Sequence, residues 1–539
     1  MKRILCLVVL ISILAVSTNV WARGARDAEE RVDRLVLALV PPEVETNRLW
    51  AGGWVIFGQF EPMLETLIGT DPHTGEFIPG LAREWQANDD FTQWTFYLRQ
   101  GVPFHFDYGE MTAHDVKHTH ELLSRPDSVV NMATTWRSRI TNVEIVDDYT
   151  ITFHFDSPYI DGERLFSRSG GELYIISKAH WDAEGLSGLD EKIVGTGAYR
   201  LVERMLGEYM LVEAVENHWR DTPEWPEIMI RWVPDDTTRL AMLVSGEAHA
   251  AELSRELSRT AERQGMVTLT SSVPSMQRFV IFGGLHFVTN GEATYDPDNP
   301  LIHSKVRQAL IKAIDIEAIH EEIYLGRVAP TYRTGFVPYQ EGWNPEWIER
   351  YDDLHGYDPE GARRLLAEAG YGPGEVKLQM ALHAAPGQPE AVMVLEAMEP
   401  YWRAIGVEVD IQPVDFGAFV ASPWGEGRAH GIVWISRNRP IRTTQGYLEA
   451  WHADTVRLRA FVSDFIEESV AKLRNTFDLD ERDRIAREIG DYLYEQFAQI
   501  NLGATYEEIT VNPRFIADWA FPGTTPTGFT HYPMIKRPE

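Results

Sequence analysis

The sequence predicts an α/β protein of more than one domain, and three observations carry that reading. The chain has 539 residues, more than a single hydrophobic core holds before a chain divides. Residues 376–414 alternate strand, helix and strand, the succession that builds an α/β layer. Hydrophobic residues make up 44% and charged residues 24% of the chain, the balance of a soluble globular protein.

The first element is a targeting segment. Lys2 and Arg3 precede an apolar run over 4–16 that is too short to span a bilayer, and Val20-Trp21-Ala22 offers small residues at −3 and −1 of a cleavage site. Cleavage after Ala22 is expected, with Arg23 as the first mature residue and a periplasmic or otherwise extracytoplasmic destination. Cys6 is the only cysteine and lies inside this leader. The mature chain therefore has no disulfide, no thiol nucleophile and no cysteine-based metal site. Loss of Lys2 and Arg3 takes the formal net charge from −31 to −33, which argues against nucleic acid and against electrostatic attachment to anionic lipid.

Residues 23–33 read as a mobile leader. Residues 34–40 form an apolar strand buried on both faces and stopped by Pro41-Pro42. Trp50, Trp54 and Phe57 follow in a glycine-containing segment. Asp71-Pro72-His73-Thr74-Gly75 is a turn, residues 95–99 alternate like a strand, and Thr112 with Asp115 makes a capping-box start for a helix over 112–123. Residues 143–155 read as a hairpin turning at Asp147-Asp148. Residues 228–233 are a strand, and 236–246 a helix with Ala241, Leu243 and Val244 facing inward.

From Phe279 the composition shifts, and 280–284 is expected to cross between units. Val306, Ala309, Leu310 and Ala313 recur at helical spacing. Asp315 caps a second short helix carrying Ile316, Ile319 and Ile323, with Gly326 to end it. The helix over 359–369 is the clearest: Asp358 caps it, Pro359 takes its first position, Ala362, Leu365, Leu366 and Ala369 form one face, and Gly370 closes it. A strand (376–382), a helix (390–405, kinked or broken by Pro400) and a strand (407–414) follow. Two more helices, 459–474 and 480–497, lead to Ile500-Asn501-Leu502 and a Pro/Gly-rich tail.

The run from Phe60 to Val116 resembles the signature region of the extracytoplasmic solute-binding proteins of peptide-type ABC importers, family 5, the dipeptide, oligopeptide and nickel-binding group. It carries Glu61, Pro62, Asp71, Thr74, Gly75, Pro79, Leu81, Ala82, Trp85, Thr95, Phe96, Leu98, Arg99, Gly101, Val102, Thr112, Asp115 and Val116 at near-fixed spacing. It departs at 106–110, where the usual Asp-Gly turn is lengthened. Residues 194–219, 304–326 and 357–371 resemble further blocks of the family.

The resemblance implies a periplasmic-binding-protein-like two-lobed α/β fold (type II, cluster C-like) with an additional domain inserted in the first lobe. The expected division is 1–22 leader, 32–55 with 191–280 and 500–539 as lobe I, 56–190 as accessory domain, and 281–499 as lobe II. It further implies capture of a small solute, a peptide first of all, between the lobes, hinge closure, and delivery by a monomer to an ABC permease. No cofactor is implied.

Residue chemistry is consistent with binding rather than catalysis. GxSxG, HExxH and Walker motifs are absent, and 194–200 fails as a dinucleotide loop because Arg200 takes its sixth position. A glycosidase-like carboxylate pair stays open, since sequence does not give carboxylate separation. His114 and His118, four apart on a helix, could face one ion, but no third ligand is fixed by spacing. Asp296 and Asp298 are open to weak calcium binding or to a Pro-rich turn.

Among the 17 tryptophans, Trp50, Trp54 and Trp434 are candidates for flat walls against a ligand, with core packing as the alternative. Peptide-binding members of the family commonly carry "W..DY.DP" near Trp434, with its Asp holding the peptide ammonium. Here Arg437-Asn438-Arg439-Pro440 replaces that acid. Arg437, Asn438, Arg439 and Arg442 are therefore candidate contacts to a carboxylate or other anionic group through the guanidinium fork, or else solvated surface. Three functions stay open: a peptide receptor, the same scaffold binding an oligosaccharide or anionic solute, and a secreted glycoside hydrolase.

Overall fold

The structure is a computed structural model and describes residues 33–42, 44–283, 298–383, 390–415, 418–419, 432–439, 444–451, 463–524 and 528–539. The leader, Asp296 and Arg442 lie outside the described residues.

Two large sheets organise the chain. The first has seven strands. Its middle is the strand Arg34–Leu39, with Glu227–Trp232 parallel on one side and Ala250–Ala251 parallel on the other. A strand flanked by two parallel neighbours has both faces covered, which is why RLVLAL reads as a nearly unbroken apolar run. Tyr209–Ala214 and Tyr199–Met205 continue the sheet antiparallel at one edge, and Glu508–Val511 and Val267–Thr270 continue it at the other.

The second sheet has six strands. Met276–Phe282 lies between Gln499–Thr505 and Ile432–Asn438, antiparallel to both. Lys377–Leu382 runs parallel to Ile432–Asn438 and to Glu408–Pro413. The chain passes between the sheets twice, at 271–275 outward and 506–507 on return. The two passages are bonded to each other: Ser271 N donates to Glu507 O at 2.8 Å and Ser275 N to Thr505 O at 2.8 Å. The expected boundaries at 280/281 and 499/500 therefore fall inside strands of the second sheet. An apolar run marks burial, and burial continues on both sides of the crossing.

Residues 56–190 contain a four-stranded antiparallel sheet built from Ala82–Ala87, Gln93–Leu98, Thr150–Phe155 and Ile140–Asp147. Helix Ala113–Leu123 packs on it, and its capping box is formed at Thr112 and Asp115. Its hydrophobic residues, Phe96, Phe153 and Phe166 among them, share one core with Leu35, Ile228 and Ile230 of the seven-stranded sheet. A second core fills the six-stranded unit, where Val306, Leu310, Ala362, Leu395 and Trp402 pack on Val280 and Ile500.

Local expectations are met at the caps: Asp315 accepts from Ala318 N and Asp358 from Gly361 N. Two differ. Helix Ala391–Ala404 runs through Pro400, because Val394, Leu395, Met398 and Trp402 are fully buried and Trp402 Nε1 donates to Leu310 O at 2.9 Å, which holds the helix against the lost bond. In helix Asp236–Ser245, Ala241 and Val244 are exposed, and Arg239, Met242 and Leu243 face inward. Arg239 is drawn in by three backbone carbonyls, of Val233, Pro234 and Glu252.

Candidate functional site

In open α/β sheets ligands collect outside the carboxyl ends of parallel strands, where backbone turns and loop side chains converge. Here both sheets present that edge next to the double passage. Arg34–Leu39 ends in Val40-Pro41-Pro42, Glu227–Trp232 ends at Trp232, and Ala250–Ala251 is followed by Glu252. A cavity of about 180 Å³ lies at these ends, lined by Leu39, Pro42, Trp232, Glu252, Glu507 and Tyr532 among others. On the second sheet the parallel strands end at Leu382, Pro413 and Asn438, and Arg439 follows the last of them. Arg439 Nη1 reaches Glu507 Oε1 at 3.4 Å, so the two edges meet at the hinge.

The electrostatics of this cavity are acidic. Glu252 accepts from Val40 N at 3.1 Å. Burial, reinforced by Glu507 and Asp236, pushes its carboxyl above the usual range against the pull of that N–H and of Arg239. Among the described residues no arginine, lysine or histidine makes an ion pair with it. Glu252 is half-buried, and a partly desolvated carboxylate beside a second one gains most from an ammonium or from several N–H donors.

A further ionic group joins the two units beside the cleft. Arg255 pairs with Glu508 at 2.7 Å and with Glu390 at 3.2 Å. Arg327 pairs with Glu262 and Glu508, each at 2.9 Å, and donates to Ser258 Oγ at 3.0 Å. Burial raises the Glu508 carboxyl, and Arg255 and Arg327 draw it back. Arg255, Ser258 and Glu262 belong to the first sheet's side, and Arg327 and Glu390 to the second's.

The residues expected from sequence separate. Trp434 is 1% exposed and packs with Phe279, Ile281, Ala381 and Phe419. Trp50 is 5% exposed, edge-on to Trp181 at 6.2 Å and under the Arg125 guanidinium at 4.8 Å. Both are core packing rather than walls of the cleft: an indole buries so much apolar area that filling a core is its commonest use. Trp54 lies in the short helix Trp54–Gln59. Asn438 is buried and donates to Gln277 Oε1 at 2.9 Å, Arg437 is exposed, and Arg439 reaches Glu507, which lines the cavity.

His114 is exposed, 3.7 Å from Asp148, while His118 is buried against Trp181. Among the described residues no three His, Asp or Glu converge as a metal would need. A second cavity, of about 160 Å³, is lined by Glu61, Glu65, Arg168, Arg220, Asp221 and His531 among others. Its carboxylates are consumed by Arg168 and Tyr174, by Thr196, Trp219 and Arg220, and by Arg220 again. Glu252 and Glu507 escaped the sequence reading. Each is an acid directly after an apolar strand or between two of them, which is the one signal that could have drawn attention to them.

Comparison with known proteins agrees with this architecture. The chain is 25% identical over 419 residues to the Dipeptide-binding protein of Escherichia coli K12, covering 74% of this chain and 75% of that protein. It is 26% identical over 442 residues to the Glutathione-binding protein GsiB of Salmonella paratyphi A, covering 78% and 79%. Its fold matches that of HbpA2 from Haemophilus parasuis with a TM-score of 0.75 at 20% identity, over 94% of this chain and all of that one. Residues 76–466 match the family described as bacterial extracellular solute-binding proteins, family 5 Middle, and the chain belongs to that family.

Proposed function

We propose that this protein captures a small peptide between its two lobes and hands it to an ABC permease, after export and cleavage of the leader past Ala22. The observation that carries the reading is the Glu252–Glu507 cavity at the carboxyl ends of the first sheet's parallel strands, beside the two hydrogen-bonded passages and linked to the second sheet's edge through Arg439 and Glu507. Glu252 and Glu507 take over the role of the missing acidic loop near Trp434: they meet the peptide's ammonium from the first lobe. No chemical step is involved. The solute selects the closed state by binding it more tightly than the open one. The curated relatives named for dipeptides and glutathione support the peptide class. The burial of Trp50 and Trp434 removes two of the three flat walls an oligosaccharide would use.

Mass spectrometry of the solute released from natively purified mature protein tests this directly. A peptide or peptide-like amine is expected. A neutral sugar, or turnover of a glycoside by the purified protein, would refute it. Glu252→Gln keeps the shape and removes the charge, and should weaken binding of an amine-bearing peptide by about tenfold or more, since a hydrogen bond to a charged group is worth roughly 1.5–3 kcal/mol. Isothermal titration against the N-acetylated peptide, for which wild type and variant should converge, checks that the loss belongs to the amine.

A further inference from the structure

The second cavity, walled in part by the carboxyl-terminal tail, takes no part in the solute site. It has about 160 Å³ of space, and a cavity of about 150 Å³ holds a benzene-sized molecule. Its body is apolar, formed by Pro62, Ile78, Ala198, Pro533 and Met534. Arg220, which also lines it, is exposed and gives it a solvent side. Arg168 is a further part of the lining. It is 6% exposed, and its Nη1 donates to Glu61 at 3.1 Å. Its Nε has no hydrogen-bond partner among the described residues.

The charged groups around this space are paired with one another. Glu61 accepts from Arg168 and the Tyr174 hydroxyl, and Glu65 from Thr196, Trp219 and Arg220. Asp221 pairs with Arg220 at 3.0 Å. Burial, with the charge of Arg168, holds the His531 ring neutral. Its Nε2 donates to the Thr70 carbonyl at 2.8 Å, so its Nδ1 accepts from the Thr530 hydroxyl at 2.7 Å. Those bonds fix His531 in the left-handed region, at a φ of 56°. An anion here would meet the carboxylates of Glu61, Glu65 and Asp221, and a cation would find the Glu61 and Glu65 oxygens taken. Either would shed its water without a matching return. What is left is one N–H donor beside an apolar space.

We propose that this cavity is a second binding site, an effector site for a small uncharged molecule whose carbonyl oxygen accepts from Arg168 Nε and whose apolar body packs against Pro533 and Met534. A ketone, lactone or tertiary amide of about six non-hydrogen atoms has that form. It brings an acceptor and no donor that would go unmatched. The tail links the two cavities. Phe529 and Tyr532 line the Glu252–Glu507 cavity, and His531, Pro533 and Met534 line this one, so one short segment is a wall of both. Tyr532 lies between them: burial raises its phenol, and the charges of Glu61 and of Glu252 each add to the rise. An occupant braces that shared wall, so solute and occupant strengthen each other's binding by the same factor. This coupling rests on the function proposed above. The second site itself does not.

Thermal unfolding of the mature protein tests the site with cyclopentanone, butyrate and cyclopentylamine, which are alike in size and differ in charge, at equal ionic strength. Cyclopentanone should raise the midpoint saturably, by about 1–3 °C, and the anion and the cation should not. Ile78 is half-buried on the short strand Phe77–Pro79, so Ile78→Phe fills the cavity and should fold and lose the shift. In crystals soaked with cyclopentanone, the ring should occupy the cavity with its oxygen within hydrogen-bond distance of Arg168 Nε. That readout decides the matter even where Ile78→Phe does not fold. The site is overturned if the ketone gives no saturable shift, if butyrate or cyclopentylamine shifts the midpoint as far, if the shift survives in Ile78→Phe, or if the soaked cavity holds water alone. Isothermal titration of tri-alanine, with and without saturating cyclopentanone, tests the coupling. The affinity for tri-alanine should rise about threefold or more. An unchanged affinity overturns the coupling and leaves the second site standing. Absence of tri-alanine binding in both conditions counts against peptide capture and overturns the coupling with it, while the second site again stands.

Discussion

Glu61 belongs to the stretch that most resembles the family, yet it faces no ligand cavity at the hinge. Its buried carboxylate takes Arg168 Nη1 at 3.1 Å and the Tyr174 hydroxyl. Such a pair is expensive to break from one side, because the survivor stays buried and charged. Glu61→Ala should therefore destabilise the protein by about 3–5 kcal/mol, read as a lower denaturation midpoint in urea, with no change in solute affinity for the fraction that remains folded. The same residue scale shows where reading the sequence stops. Asp315 and Asp358 were legible as caps because capping is decided within four residues. Trp434 was not legible, because whether an indole faces a core or a cleft depends on Phe279, Ile281 and Phe419, which lie up to 155 positions away or across a register that only the sheet defines.

At the scale of the element, helix Ala113–Leu123 concentrates a pH dependence. Burial holds His118 and His120 on this helix, and His105 just before it, at about 4, well below the ordinary imidazole value. Lys178 adds to the depression at His118 and Asp182 opposes it. A histidine whose folded value is depressed stabilises the native state fully above its unfolded value of about 6.5 and loses that contribution as pH falls toward the folded value. The thermal midpoint should therefore drop between about pH 6.5 and pH 4, and His118→Gln should flatten that drop. Glu172 works in the opposite sense. Burial lifts its carboxyl to about 7 against the N–H groups of Asn131 and Met132. Its stabilising contribution is fully present below the ordinary carboxylate value of about 4.5 and is lost as pH rises from there to about 7, so Glu172→Gln should reduce the decline of the midpoint over that interval. Helix Pro359–Glu368 offers a simpler test: Asp358→Ala removes its side-chain cap and should cost about 1 kcal/mol, measurable by the same unfolding. Helices and hairpins were read closely from their caps and periods. The helix through Pro400 was read within one residue at each end, and only whether the proline breaks it stayed open, because the packing that overrides the proline lies on another helix.

For the whole molecule, the two lobes are tied both by backbone and by ions. The pairs of Arg327 with Glu262 and Glu508 and of Arg255 with Glu390 span the cleft wall and hold the relative orientation seen here. Arg327→Ala should loosen it. Distances between spin labels, one on each sheet, should spread over a wider range in the solute-free variant than in wild type, and solute should narrow both. The two-lobed plan was legible through the family resemblance, whereas the places where the chain changes lobes were not: Ser271-Ser272-Val273-Pro274-Ser275 reads as one loop among many, and Tyr506-Glu507 is only two residues between strands.

Those two passages also set an order of assembly. The strand Glu508–Val511 sits between Ala250–Ala251 and Val267–Thr270, so the first sheet has a gap until nearly the last 30 residues are available. Everything from Met276 to Thr505 is contiguous, and the six-stranded sheet needs nothing outside it. A chain that emerges from a ribosome or a translocation channel from its amino end can therefore finish its second lobe while the first still waits for its missing strand. The lobe that begins the chain is the last to close. A chain ending at Thr505 should show this as a protease-resistant second lobe beside a degraded first one.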